Sequence, residues 1–216
     1  MTLSSARPGT VCSVIAFALL SVASAGTWAC GYHSPESIAR GLLVWNYPDA
    51  LHVDGAVWKG QQAGVLPMPD RRFFLPAGPE RKMLDTRAYL TALRSLHALG
   101  GVYEERAAPD AASSGTAVVL LETMLWTRFP AGGGVETHVT GPEPGDLVVV
   151  TDDPVVHAIA EGRLSVTEAM EEGFMRLYGT PEQEQGFQKR LGDVGNEPLP
   201  PVDSRKLLAD MRRDRP

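Results

Sequence analysis

Residues 146–179, DLVVVTDDPVVHAIAEGRLSVTEAMEEGFMRLYG, constrain the fold most, because nearly every junction in them is marked. Leu147, Val148, Val149 and Val150 form a short apolar run rich in β-branched residues, which predicts a buried strand. Asp152 or Asp153 can cap a helix whose first turn tolerates Pro154. That helix presents Val155, Val156 and Ile159 on one side, and Gly162 offers a left-handed stop. Ser165 and Glu168 have the spacing of a capping box, so a second, short helix carries Val166, Ala169 and Met170. Gly173 ends it, and residues 174–178 return as a strand. The stretch specifies an architecture and contains no catalytic group.

The upstream order extends the pattern. Asp85 caps a helix over residues 85–99 whose buried side holds Tyr89, Leu90, Leu93, Leu96 and His97. The run Gly100-Gly101-Val102-Tyr103 then reads as a first strand, and residues 107–115 as a loop. Residues 117–129 read as one long strand with large apolar groups in both alternating sets, so it is expected at the centre of a sheet. A turn at 130–134 leads to a strand at 135–139, and Thr180 with Gln183 caps a last helix bearing Phe187 and Leu191. This succession resembles the sterol carrier protein-2 (SCP-2) family over roughly residues 85–192. The matching positions are Asp152 and Asp153, Gly162-Arg163-Leu164, Ala169, and Gly173 through Gly179 with its alternating apolar residues. The resemblance implies an α+β fold: a twisted, mainly antiparallel sheet covered by helices, with an apolar tunnel between the layers. Leu93, Leu121, Leu125, Ile159, Met170, Phe174 and Leu177 are then expected to line a hydrophobic ligand. Glu122 stands among apolar neighbours, and two orientations remain open. Pointing inward it orients a ligand headgroup; pointing outward it is an edge charge.

Residues 1–25 have the anatomy of a secretory leader. Arg7 precedes an apolar run at 11–22, and Ala23-Ser24-Ala25 is a small-x-small cleavage site. The run falls short of the about 20 residues that a membrane span needs, so a periplasmic or secreted protein is expected. The net charge of −6 argues against nucleic-acid binding, which depends on neutralising phosphates. The basic end, with Arg205, Lys206, Arg212, Arg213 and Arg215, reads as a solvated tail and keeps contact with a membrane or protein partner open. The division expected is a leader at 1–25, a helical extension and Pro-rich connector at 26–83, the carrier-like domain at 84–193 and a flexible tail at 194–216. In the extension, Ile38, Leu42 and Trp45 make one helix face, and Leu51, Val53, Val57 and Trp58 make another.

The chain has 2 cysteines, and Cys12 falls in the leader, so Cys30 stands alone afterwards. Thr27 and Trp28 depart from the pattern of a lipid-attachment site at Cys30. Cys30, His33 and His52 could together hold copper or zinc, which is the second function class considered. Their alternative is ordinary packing and capping roles. No G-x-S-x-G, H-E-x-x-H, C-x-x-C, P-loop or dinucleotide fingerprint occurs. The first reading is therefore an exported, non-enzymatic protein that binds a small hydrophobic ligand without a cofactor. The second is a metal- or thiol-dependent periplasmic protein. Oligomeric state is not encoded in any of these patterns.

Overall fold

A computed structural model of the chain describes residues 42–68, 86–106, 114–203 and 207. All of them belong to one compact unit, residues 39–216. After a helical turn at 42–46, the elements are α1 (Ala50–Gln62), α2 (Thr86–Glu105), β1 (Thr116–Leu120), β2 (Leu125–Phe129), β3 (Glu136–Thr137), β4 (Leu147–Thr151), α3 (Asp153–Ala160), α4 (Val166–Glu171), β5 (Arg176–Tyr178) and α5 (Pro181–Leu191). The expected leader, Cys30, His33 and most of the expected Pro-rich connector lie outside the described residues. The fold is α+β, as expected. One five-stranded sheet has the order β3-β2-β1-β4-β5, antiparallel throughout except for the central β1–β4 pair.

The stretch 146–179 folds as its punctuation predicts. Leu147–Thr151 is buried along its whole length. Asp152 caps α3 by accepting from the Asp153 N–H at 2.9 Å, with Pro154 in the first turn. Gly162 has φ +71, and a Cβ there would meet the backbone carbon of Glu197 at 2.4 Å, so glycine is required twice over. Both halves of the Ser165–Glu168 capping box form, and so do both halves of the Thr180–Gln183 box. Gln183 also donates to the Gly145 carbonyl at 2.7 Å, which ties α5 to the entry of β4.

Two upstream expectations are corrected. Residues 100–103 continue α2 rather than forming a strand, because α2 passes so close to the sheet that only glycine fits. A Cβ on Gly100 would lie 2.4 Å from Val135 and 2.9 Å from Phe129. The long strand at 117–129 is a hairpin, β1 and β2 joined by a tight turn at 121–124 in which Met124 takes φ 52. The apolar residues on both alternating sets belong to two adjacent strands.

Register fixes which side chains share a face. Ala117, Val119, Trp126, Arg128, Val148, Val150, Arg176 and Tyr178 point to one side. Val118, Leu125, Thr127, Phe129, Val149, Leu177 and Thr137 point to the other. The second side is covered by α2, with the Tyr103 and Phe129 rings 5.7 Å apart and the Thr116 hydroxyl donating to Tyr103 Oη at 3.0 Å. Helix α3 packs along α2. The first side is covered by the segment expected to be an extension. Tyr47 stacks edge-on against Tyr178 at 5.0 Å and leans on Trp126 at 6.3 Å. The Asp49 N–H donates to Tyr178 Oη at 3.0 Å, and α1 packs on β4. Helices therefore flank both faces of the sheet, which is why β1 and β4 are buried from end to end.

The helix faces of 42–68 also differ from expectation. Leu43, Ala50, Val53 and Val57 are buried, whereas Leu42, Trp45, Leu51 and Trp58 are exposed, Trp45 at 85%. At the other end, Val194 and Leu207 are buried in the core, so the expected tail is anchored at those points.

Candidate functional site

Two regions of the fold hold features beyond ordinary packing. The first is the seam between α2–α3 and the sheet. Leu93, Leu96, Val118, Leu120, Val149, Val155 and Ile159 contribute to a continuous apolar core there, each at most 1% exposed. Its boundary runs along β3, a two-residue edge strand that pairs with β2 only at Thr127–Thr137 and Arg128–Glu136. Just past β3, His138 adopts φ 60, a left-handed backbone that non-glycine residues take up only occasionally. Its Nε2 is hydrogen-bonded to the Tyr89 hydroxyl, a direct tie between α2 and the sheet edge. Inside the seam, the Thr127 hydroxyl is fully buried and has no hydrogen-bond partner among the described residues. Among the described residues Asp152 is the one charged residue buried as a whole, and on the other side of the sheet the buried Asp146 carboxylate pairs with the mostly buried Arg128 guanidinium at 2.8 Å.

The second region is an acidic corner at the carboxyl ends of the parallel strands β1 and β4. The buried Asp152 accepts from the Glu122 N–H at 3.0 Å and from the Asp153 N–H, so one side chain clamps the β1–β2 turn to the start of α3. Burial pushes its carboxyl up to about 6, while these two hydrogen bonds and the nearby Glu122 and Asp54 modify the shift. The half-buried Asp153 accepts from the Thr123 hydroxyl at 3.5 Å. Burial, with Asp152 and Glu122 beside it, pushes Asp153 up to about 7. Capping α3 accounts for why an aspartate stands at 152. No group of three or more histidine, cysteine or acidic residues suited to a metal occurs among the described residues.

The residues expected to line a ligand do not converge on one space. Leu93 and Ile159 are fully buried in the seam, and Leu125 and Leu177 face it from the sheet. Phe174 packs on the opposite side, its ring within 2.9 Å of where a Cβ on Gly60 of α1 would stand. Leu121 and Glu122 belong to the β1–β2 turn, with Glu122 exposed, so the two orientations considered within a strand do not arise. Met170, half-buried on α4, lies 4.0 Å from the Gln188 amide. Of the residues considered for a metal, Cys30 and His33 are outside the described part. His52 is exposed on α1, with Nδ1 3.3 Å from Asp49 Oδ1. A surface cavity of about 190 Å³ lies between Tyr103, Glu104, Gly133 and Arg190, and none of the predicted residues borders it. The unpaired Thr127 hydroxyl and the Tyr89–His138 hydrogen bond were not foreseen from the sequence. Only Thr127 carried a signal, as a threonine between Leu125 and Phe129 on one alternating set of the strand.

No family model matches the chain, and no curated protein does. Among solved structures, it is similar to a conserved hypothetical protein from Thermus thermophilus whose solution structure is described as "possibly sterol carrier protein". The TM-score is 0.31 at 17% identity, over 55% of this chain and 87% of that one.

Proposed function

We propose that this is an exported, non-enzymatic binding protein that holds a lipid or another small hydrophobic ligand, as its resemblance to the SCP-2 family implies. The observation that carries the reading is the character of the seam under α2 and α3. It is built mainly of large aliphatic side chains, with a few buried hydroxyls such as those of Thr116 and Thr127 among them. These side chains fill the seam, so a ligand has to part α2 and α3 from the sheet to enter; burial of its hydrocarbon would supply about 0.8 kcal/mol per methylene, and no chemistry is needed for that role.

The test is native mass spectrometry of protein purified from the extracytoplasmic fraction, followed by titration with the neutral dye N-phenyl-1-naphthylamine. A ligand-sized mass released on activation, and saturable dye binding, are the expected results. A bare polypeptide that also takes up no dye at any concentration sinks the proposal. Sequencing the mature N-terminus checks export separately; it should begin at Gly26.

A further inference from the structure

Among the described residues, the large hydrophobic side chains that stand exposed all lie in residues 42–68: Leu42, Trp45, Leu51, Trp58, Val65 and Met68. The outward face of α1 has an unusual make-up. At about 100° per residue, Gly55 falls opposite the buried Val53 and Val57, at the centre of that face. Leu51 and Trp58, each 61% exposed, flank it on one side, and the exposed His52 and Lys59 flank it on the other. Glycine is costly in the middle of a helix, and nothing within the fold requires it here. A Cβ on Gly55 would meet no atom within 4 Å. Gly60 is the contrast, because a Cβ there would strike the Phe174 ring at 2.8 Å. A glycine kept in open space between a leucine and a tryptophan leaves a notch, and the notch lets another backbone approach closely.

We propose that this face pairs with the same face of a second copy of the chain, α1 crossing α1 antiparallel at Gly55 to give a two-fold dimer. Leu51 stands four residues before the crossing and Trp58 three after it, so the reversal sets Leu51 of each copy against the partner's Trp58. It also brings Lys59, in the last turn, to the other copy's helix start, where the exposed Asp49 carboxylate stands 3.3 Å from His52 Nδ1. Apolar strip meets apolar strip, and the basic end meets the acidic one. The six exposed side chains amount to on the order of 700 Å², close to the about 800 Å² that each partner buries in an interface of standard size. Leu42, Trp45, Val65 and Met68 lie toward the ends of this surface, where contacts exclude water and contribute little. A lipid surface is the competing occupant. It would take up Trp58 and Leu51, but it gives no reason for a glycine between them, and the net charge of −6 opposes an anionic bilayer. The inference stands apart from the hydrophobic-ligand reading, since α1 covers the side of the sheet away from α2.

Sedimentation velocity over a concentration series tests the pairing, with flotation on phosphatidylcholine vesicles run alongside. The unaltered protein should show a monomer–dimer equilibrium with a dissociation constant of about 10 μM or tighter. Gly55→Leu fills the notch while improving helix propensity, so it should weaken the dimer by about ten-fold or more while the dilute monomer melts no lower. Trp58→Ser should also weaken it by about ten-fold, and it decides the matter alone if G55L does not fold. An added leucine that strengthened non-specific association would move the dissociation constant the other way. A monomer at about 200 μM, where a standard interface would be occupied, overturns the proposal. So does an unchanged dissociation constant in either folded variant, or assembly beyond two copies, which an isologous pair does not allow. Vesicle binding by a monomeric protein, kept or strengthened in G55L, assigns the face to lipid and overturns it as well.

Discussion

Asp153 shows how one side chain can set the acid response of the molecule. It and Asp152 hold their protons to higher pH in the folded chain, at about 7 and about 6, than an unfolded aspartate does at about 4. The folded state therefore binds more protons across that window. Their contribution to stability is fully present below about pH 4 and is lost as pH rises through 6 and 7. Asp153→Asn removes the charge but keeps the size. It should raise the melting temperature at pH 8 by roughly 2–8 °C, about 1–2 kcal/mol, and flatten its dependence on pH between 4 and 7. Differential scanning fluorimetry across pH reads both. Asp152→Asn is not equivalent: its amide oxygen can still accept the two backbone N–H groups that Asp152 Oδ1 holds, but without the charge that strengthens them. Glycines make the opposite kind of point. Gly195 has φ +99, and a Cβ there would stand 2.0 Å from the Leu164 carbonyl oxygen. Gly195→Ala should cost at least about 2 kcal/mol in urea denaturation. Local chemistry of this sort was readable from the chain. Asp152, Ser165, Thr180, Gly162 and Gly173 do what their types and spacings predict, because a cap or a left-handed turn depends on three or four neighbouring residues. Thr127 was not readable, because a threonine in a strand is commonplace and only the tertiary surroundings leave its hydroxyl unpaired.

At the scale of elements, caps decide where helices begin, and packing decides which face they bury. Ser165→Ala breaks a two-way capping box and should cost about 1 kcal/mol in chemical denaturation. Trp45→Ser should change stability by less than about 0.5 kcal/mol in the same assay, since that ring is 85% exposed. The contrast is instructive because periodicity ranks Trp45 and Leu42 above Leu43, which is the residue the core takes. Size and spacing alone cannot say which of two apolar flanks meets the sheet. The same limit explains α2 and the β1–β2 hairpin. Gly100-Gly101 carries the sign of a break, yet the contact with Phe129 and Val135 makes glycine a condition of the helix passing there. Residues 121–124 carry no glycine, proline or asparagine, so nothing local announced the turn. It is held from outside, by the Asp152 carboxylate on the Glu122 N–H and by the Thr151 carbonyl on the Leu121 N–H at 3.0 Å.

For the whole molecule, the main revision concerns residues 42–66. The sequence pattern separates them from residues 84–193, and the Pro-rich connector reads as a boundary. In the fold they form the outer layer over Trp126, Val148, Val150 and Tyr178. A chain beginning at residue 84 would uncover that apolar face of the sheet. It should aggregate or elute as oligomers on size exclusion and lack a dispersed amide spectrum, while the chain beginning at 26 gives one. Recovery of a monomeric, well-dispersed 84–216 fragment would contradict the three-layer arrangement. Such dependence between distant segments could not be read locally, because the partners of Tyr47 lie in β2 and β5, far along the chain.

The parallel pairing of β1 with β4 has a kinetic consequence. Every other strand pair in the sheet is antiparallel, and the β1–β2 hairpin can close on its own within microseconds. The central seam cannot, since β4 must arrive after β2, β3 and the loop at 138–146 have been laid down, at the entropic expense of closing that whole excursion. The step that commits the molecule to its native topology is thus the docking of β4 beside β1, with Asp152 fastening the turn as it arrives. Amide protons of Val118, Val119, Val149 and Val150 should be the last to exchange with solvent, opening only when the entire chain unfolds.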